Sequence, residues 1–154
     1  MIRYPRAAPE DVPQLVGLIH TCFAELANLT PPSGAIAETP AAIAALLAKG
    51  ALVKAVMGGE LVGCVAAEPR GDHVYVGRLA VLPARRRLGI AQGLLAAVED
   101  YAREVGAGAL RLNVRLVLSG NIRLFEGLGY RITGQGSHPG FVVPTYHVME
   151  KQLV

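Results

Sequence analysis

Tryptophan is absent from the 154 residues, and Trp, Tyr and Phe together make up only 5%. Binding to single-stranded nucleic acid relies on aromatics interleaved with basic residues, so the run Arg85–Arg87 alone does not make nucleic acid an expected partner. Cysteine is scarce too. Cys22 and Cys64 cannot frame a disulfide-held fold and lack Cys-x-x-Cys spacing. They fall on the apolar faces of a helix and a strand and read as buried, inert thiols. The four histidines, His20, His73, His138 and His147, show no His-x-x-x-His or Cys–His spacing, so no metal site is expected. Only three serines occur, and neither Gly-x-Ser-x-Gly nor a phosphate-binding Gly-x-x-x-x-Gly-Lys-Ser/Thr is present. Serine esterase chemistry and nucleotide hydrolysis lose support accordingly. No stretch approaches the roughly 18 apolar residues of a membrane span, and the opening MIRYPRAAPEDVP lacks an apolar signal core. The expectation is a soluble, cytoplasmic protein without a membrane partner.

What is present fits one packed domain over residues 1–154. Apolar residues reach 52%, charged ones 18%, and the net charge is +3, too mild to favour acidic polymers. Ile2–Ala8 reads as a strand, Asp11 as a helix N-cap, and Val12–Leu26 as an amphipathic helix. The stretch from Asn28 to Thr39 is a loop by composition, followed by an Ala-rich helix from Pro40 to about Ala48. Ala51–Met57 and Leu61–Ala67 flank Gly58-Gly59 as a hairpin, a turn follows at Pro69–Asp72, and His73–Val81 is a third strand. A helix follows Gly89. Ala109–Val117 then alternates, with Leu110, Leu112, Val114 and Leu116 on one face and Arg111, Asn113 and Arg115 on the other. Ser119-Gly120-Asn121 caps a short helix ended by Gly129, and two strands near Tyr130–Gln135 and Val143–Lys151 close the chain. The predicted fold is α+β, with a mixed, mostly antiparallel sheet flanked by helices.

The stretch Gly77–Gly93, GRLAVLPARRRLGIAQG, carries the clearest chemistry. A strand runs into three arginines, then Gly89, then a helix opening on small residues. The first N–H groups of a helix lack partners and carry partial positive charge. Gly89 and Ala91 leave that backbone open to an oxyanion, which suits a phosphate or pyrophosphate. On spacing alone, a capped helix with solvated arginines remains the competing reading.

Arg86–Ala91, RRLGIA, resembles the Gln/Arg-x-x-Gly-x-Gly/Ala acetyl-CoA motif of the GNAT family of N-acetyltransferases. Ser119–Tyr130, SGNIRLFEGLGY, is similar to that family's Asn-containing helix and its Leu-Gly-Phe/Tyr turn, and the order of elements fits over nearly the whole chain. The resemblance implies the GNAT fold and transfer of acetyl from acetyl-CoA to an amine. It also implies that the backbone of Leu79, Ala80 and Val81 holds the pantetheine arm. Amides from Arg86, Arg87, Leu88, Gly89, Ile90, Ala91 and Gln92 would hold the pyrophosphate, and Asn121 would contact the pantetheine. Two positions depart from the family pattern. Phe125 stands where many members carry a Tyr that protonates the leaving thiolate, and Tyr75 stands where some carry a base Glu. A thiol pKa near 8.5 makes the thiolate a tolerable leaving group without an acid. His73 and Tyr75 become the candidate proton handlers, His73 because imidazole titrates near neutrality.

Two other readings stay open. One is a catalytically idle acyl-CoA-binding domain, favoured by Phe125; the other is a basic nucleic-acid module centred on Arg85–Arg87. The resemblance also implies that the acceptor enters between the first two helices and the last hairpin, here at Asn28–Thr39 and Ser137–Thr145, with Glu25, Glu38, Glu68 and Asp72 as carboxylates for a cationic acceptor. A homodimer is compatible with the sequence.

Overall fold

In the computed structural model, which describes residues 1–153, seven strands form one sheet in the order β1-β2-β3-β4-β5-β7-β6. They are β1 (Ile2–Arg3), β2 (Ala51–Met57), β3 (Glu60–Arg70), β4 (His73–Val81), β5 (Ala109–Arg115), β6 (Arg131–Gly136) and β7 (Tyr146–Gln152). The helices are α1 (Val12–Phe23), α2 (Pro40–Lys49), α3 (Ile90–Glu104) and α4 (Ser119–Gly127). All neighbours are antiparallel except β4 and β5, which the α3 crossover makes parallel.

Alternation along the strands sorts side chains into two cores. Leu15, Ile19 and Cys22 of α1 and Ile43 of α2 pack on Leu52, Cys64, Ala66 and Ala80. Leu94, Leu95, Val98 and Ala102 of α3 pack on Val53, Val65, Ala67, Val74, Val76 and Leu110 on the opposite face. Burying one such Leu contributes about 1.5–3 kcal/mol. Val76 and Ala80 are four residues apart yet lie on opposite faces. A β-bulge between them supplies the extra residue that reverses the alternation.

Several sequence boundaries are corrected. The first strand ends at Arg3, because Pro5 has no N–H for the ladder; the chain touches β2 again through an Arg6–Val53 bridge. Asp11 adopts helical backbone and does not cap α1. Its carboxylate accepts the Ala8 N–H at 2.7 Å. β3 runs on to Arg70 through Pro69. The proline is tolerated because β2 pairs no further than Ala67, so no neighbour needs the missing N–H. β5 stops at Arg115, and α4 starts with Ser119 and Asn121 in its first turn, without a side-chain cap. β7 begins only at Tyr146, and the loop before it is stapled by Thr145 Oγ1, which accepts the His138 N–H at 3.0 Å.

Candidate active site

β4 and β5 pair only where His73–Tyr75 meets Ala109–Arg111. Beyond that point they part, and Val76–Val81 faces Leu112–Arg115 across a cleft of about 1020 Å³. The edge of β4 therefore turns backbone groups toward the cleft without a β5 partner, the arrangement by which a strand edge accepts an extended ligand.

The bulge sits at the middle of that edge. Cys64 pairs with Ala80 and Ala66 with Gly77, so Arg78 and Leu79 together oppose Val65. Arg78 takes φ +51°, and with Arg87 at +67° it is one of two non-glycine residues with positive φ among the described residues. Both line the cleft. Such backbone costs about 1–3 kcal/mol and persists where surrounding contacts impose it. Here they are identifiable. The Arg78 Nε–H donates to Glu38 at 2.6 Å, and the Arg78 carbonyl accepts the Cys64 thiol at 3.6 Å. Glu38 is 6% exposed, the one buried charged side chain among the described residues. Its own carbonyl accepts from His20 Nε2 at 2.7 Å, which ties the α1–α2 loop to the bulge.

At one end of the cleft a 3-10 turn at Pro83–Arg85 leads into α3. Gly89 is left-handed at φ +78° and its carbonyl accepts the first helical bond, from Gly93. The amides of Ile90, Ala91 and Gln92 thus begin the helix without intrahelical acceptors. The Arg86 N–H differs: it is turned back onto the Pro83 carbonyl at 3.4 Å. Two of the three arginines are paired, Arg85 with Glu60 at 3.2 Å and Arg86 with Glu25 at 2.6 Å.

A family model described as the acetyltransferase (GNAT) family matches residues 21–130. The chain belongs to the GNAT family. Its sequence is 35% identical over 86 residues to a probable N-acetyltransferase 14 of Xenopus tropicalis, across 54% of this chain and 42% of the relative. The chain thus matches less than half the length of that relative. Among solved structures, Ard1 of Thermoplasma volcanium aligns with TM-score 0.82 at 19% identity, covering 99% of this chain and 98% of that one. The PaiA N-acetyltransferase of Thermoplasma acidophilum, solved in complex with coenzyme A, aligns at 0.81 and 16% identity, covering 99% of both chains. The GNAT fold read from the sequence is therefore the fold observed.

Within this GNAT cleft, Leu79, Ala80, Val81, Arg86, Arg87, Gly89, Ile90, Ala91, Gln92 and Asn121 all lie on the wall. Leu88 does not; its side chain is half-exposed. Tyr75 lines the cleft, whereas His73 is absent from its wall. His73 stands at the closed end of the β4–β5 pair, with Nδ1 3.0 Å from Asp72. Burial pushes the Tyr75 phenol upward, opposed by Arg70 and Arg78, so at neutral pH it is a hydrogen-bond donor. Of the four carboxylates expected to greet a cationic acceptor, three are engaged by arginines, Glu25 with Arg86, Glu38 with Arg78 and Glu68 with Arg70 at 3.3 Å, and Asp72 is off the cleft wall beside His73. Both cysteines are buried, and burial pushes the Cys64 thiol up to about 12.

Sequence reasoning gave Arg78 and Arg115 no role at the site, and it named Glu38 as a carboxylate for a cationic acceptor, not as the anchor of Arg78. The alternation of β5 had put Arg111, Asn113 and Arg115 on one face, a signal that this face is polar. Which residues oppose them came only with the fold.

Proposed function

We propose that this chain binds acetyl-CoA in the β4–β5 cleft and transfers the acetyl group directly to an amine. The observation that carries this reading is the joining of a bulged, unpaired β4 edge to an open helix N-terminus behind Gly89. The free edge from Leu79 to Val81 suits the amide-bearing pantetheine arm. The amides of Gly89 to Gln92 suit the pyrophosphate. Asn121, at the start of α4, reaches the arm from the other wall. Backbone N–H groups near Leu79 and Ala80 would supply preorganised stabilisation to the thioester oxyanion.

The amine nitrogen attacks the thioester carbonyl, the C–S bond breaks, and CoA departs as thiolate. Phe125 lines the cleft and has no proton to give, so the thiolate takes its proton from solvent. Tyr75 positions a water that accepts the ammonium or amide proton, and Glu68, its cross-strand partner on β3, is the carboxylate at hand to receive it. Enzyme incubated with acetyl-CoA and a panel of primary amines should release free thiol well above the hydrolytic background. CoA binding by calorimetry without thiol release on any amine would overturn transfer in favour of an idle CoA-binding domain. Binding that is steeply salt-dependent toward RNA and indifferent to CoA would favour the nucleic-acid reading.

A further inference from the structure

Arg70, Arg78, Arg111 and Arg115 lie on the sheet face toward the α1–α2 loop, and three of these four are paired with carboxylates. Glu68 pairs with Arg70 at 3.3 Å, Glu38 with Arg78 at 2.6 Å, and Glu150 with Arg111 at 2.9 Å. Arg115, two positions beyond Asn113 on the same side of β5, is left over. Among the described residues its Nη1 donates to the Pro31 carbonyl at 2.6 Å, and no carboxylate pairs with it. A guanidinium has five N–H donors in a planar fork, so most remain for another partner.

Arg115 lines a second cavity of about 360 Å³ between the α1–α2 loop and the loop after β6. Arg78, Tyr75, Asn113, His138 and Tyr146 share its wall, and no Asp or Glu does. Tyr75, Arg78, Asn113 and Arg115 also line the main cleft, so the two spaces are continuous at the bulge. Burial pulls the Arg115 pKa down, and Arg115 helps burial pull the His138 pKa down. No acidic group opposes either shift. A partly desolvated charge without a counter-ion is costly, and a carboxylate is the group whose two oxygens match the fork.

We propose that the amine acceptor carries a carboxylate, which Arg115 binds in this second cavity while the amine reaches the thioester at the Arg78 bulge. This rests on the N-acetyltransferase reading and narrows it to small amino acids or amino acid-like amines.

The test compares amines in matched pairs, an amino acid against its own carboxamide, with thiol release at saturating acetyl-CoA. The carboxamide is the less basic amine and has more neutral nucleophile near neutral pH, which works against the expected result. The carboxylate member should nonetheless show about tenfold higher kcat/KM or more, the size of one charge-assisted pair. Arg115→Gln should collapse that ratio toward one, and Arg115→Lys should restore part of it. Were Arg115 merely an anchor for Pro31, the substitution would slow both members alike and leave the ratio standing. CoA calorimetry on each variant reports whether the cleft has survived. Equal rates for the wild-type pairs, or a ratio that survives Arg115→Gln, overturn the carboxylate site and leave amine acetylation intact. No thiol release with either member overturns both readings.

Discussion

The two sides of the cleft are built from different materials. The wall proposed for the cofactor is mainly backbone: the free edge of β4, the left-handed Gly89 and the first amides of α3. The wall proposed for the acceptor is mainly side chain: Arg78 and Arg115 line it with Tyr75, Asn113 and His138, and Glu38 holds Arg78 from behind. Backbone sites tolerate side-chain exchange provided the φ/ψ values hold. Side-chain sites are retuned by single substitutions while the fold stays, so cofactor grip and acceptor choice can vary separately.

Gly89→Val should break the cofactor wall most severely. A β-branched residue is strained at φ +78°. The α3 amides would turn away, and CoA affinity measured by calorimetry should fall on the order of 100-fold, about 2.7 kcal/mol. Stability and acceptor-side charge should be far less affected.

On the acceptor wall, Glu68→Gln should lower kcat/KM by about 10²-fold if its carboxylate receives the amine proton, the low end for general-base catalysis. Tyr75→Phe should cost less, about tenfold, because it removes only the group that orients the water. CoA affinity should be unchanged in both. His73→Ala, off the cleft wall, should leave the pH–rate profile as it was; a lost inflection near neutrality would return the base role to His73.

Glu38→Gln sharpens the comparison further, since it weakens the bond that holds the α1–α2 loop to the bulge. Chemical denaturation should register a loss of about 1–3 kcal/mol, typical of hydrogen bonds to charged groups. The acceptor KM should rise with little change in CoA binding. Equal damage to both would show that the Arg78 bulge serves the two walls as one unit.

The smallest effects belong to the exposed pair Arg86–Glu25. Arg86→Ala removes a cation beside the phosphates and leaves the Glu25 carboxylate there, whereas Glu25→Gln frees Arg86. CoA affinity should move in opposite directions by a few-fold at most, and less in high salt.

Cys64 offers a check on the core between the walls. Its folded-state pKa is pushed up to about 12 by burial, while an unfolded thiol ionises near 8.5. The unfolded state therefore loses its proton first, and this contribution to stability is intact below about pH 8.5 and shrinks as pH rises toward 12. Thiol-alkylating reagent should not label Cys64 at pH 8 until the protein unfolds. Rapid labelling of the folded protein would show that the bulge opens.

What the sequence determined by itself is the local and the periodic. Gly58-Gly59 set the β2–β3 hairpin, the spacing of Leu94, Leu95 and Val98 set the buried face of α3, and Arg86–Ala91 marked the turn that opens α3. Each of those features depends on residues within a few positions of one another. Pro69 within β3 and the late start of β7 at Tyr146 were hidden because neighbouring strands, not local propensity, decided them. The bulge lay out of reach, since a register shift exists between strands and not within one. The acceptor wall lay furthest out of reach. Glu38 meets Arg78 across 40 positions and Arg115 meets Pro31 across 84, and which cation is left unpaired depends on every such closure at once. Only the folded chain, by bringing β4, β5 and two distant loops to one place, decided that Arg115 would line the second cavity without a carboxylate partner.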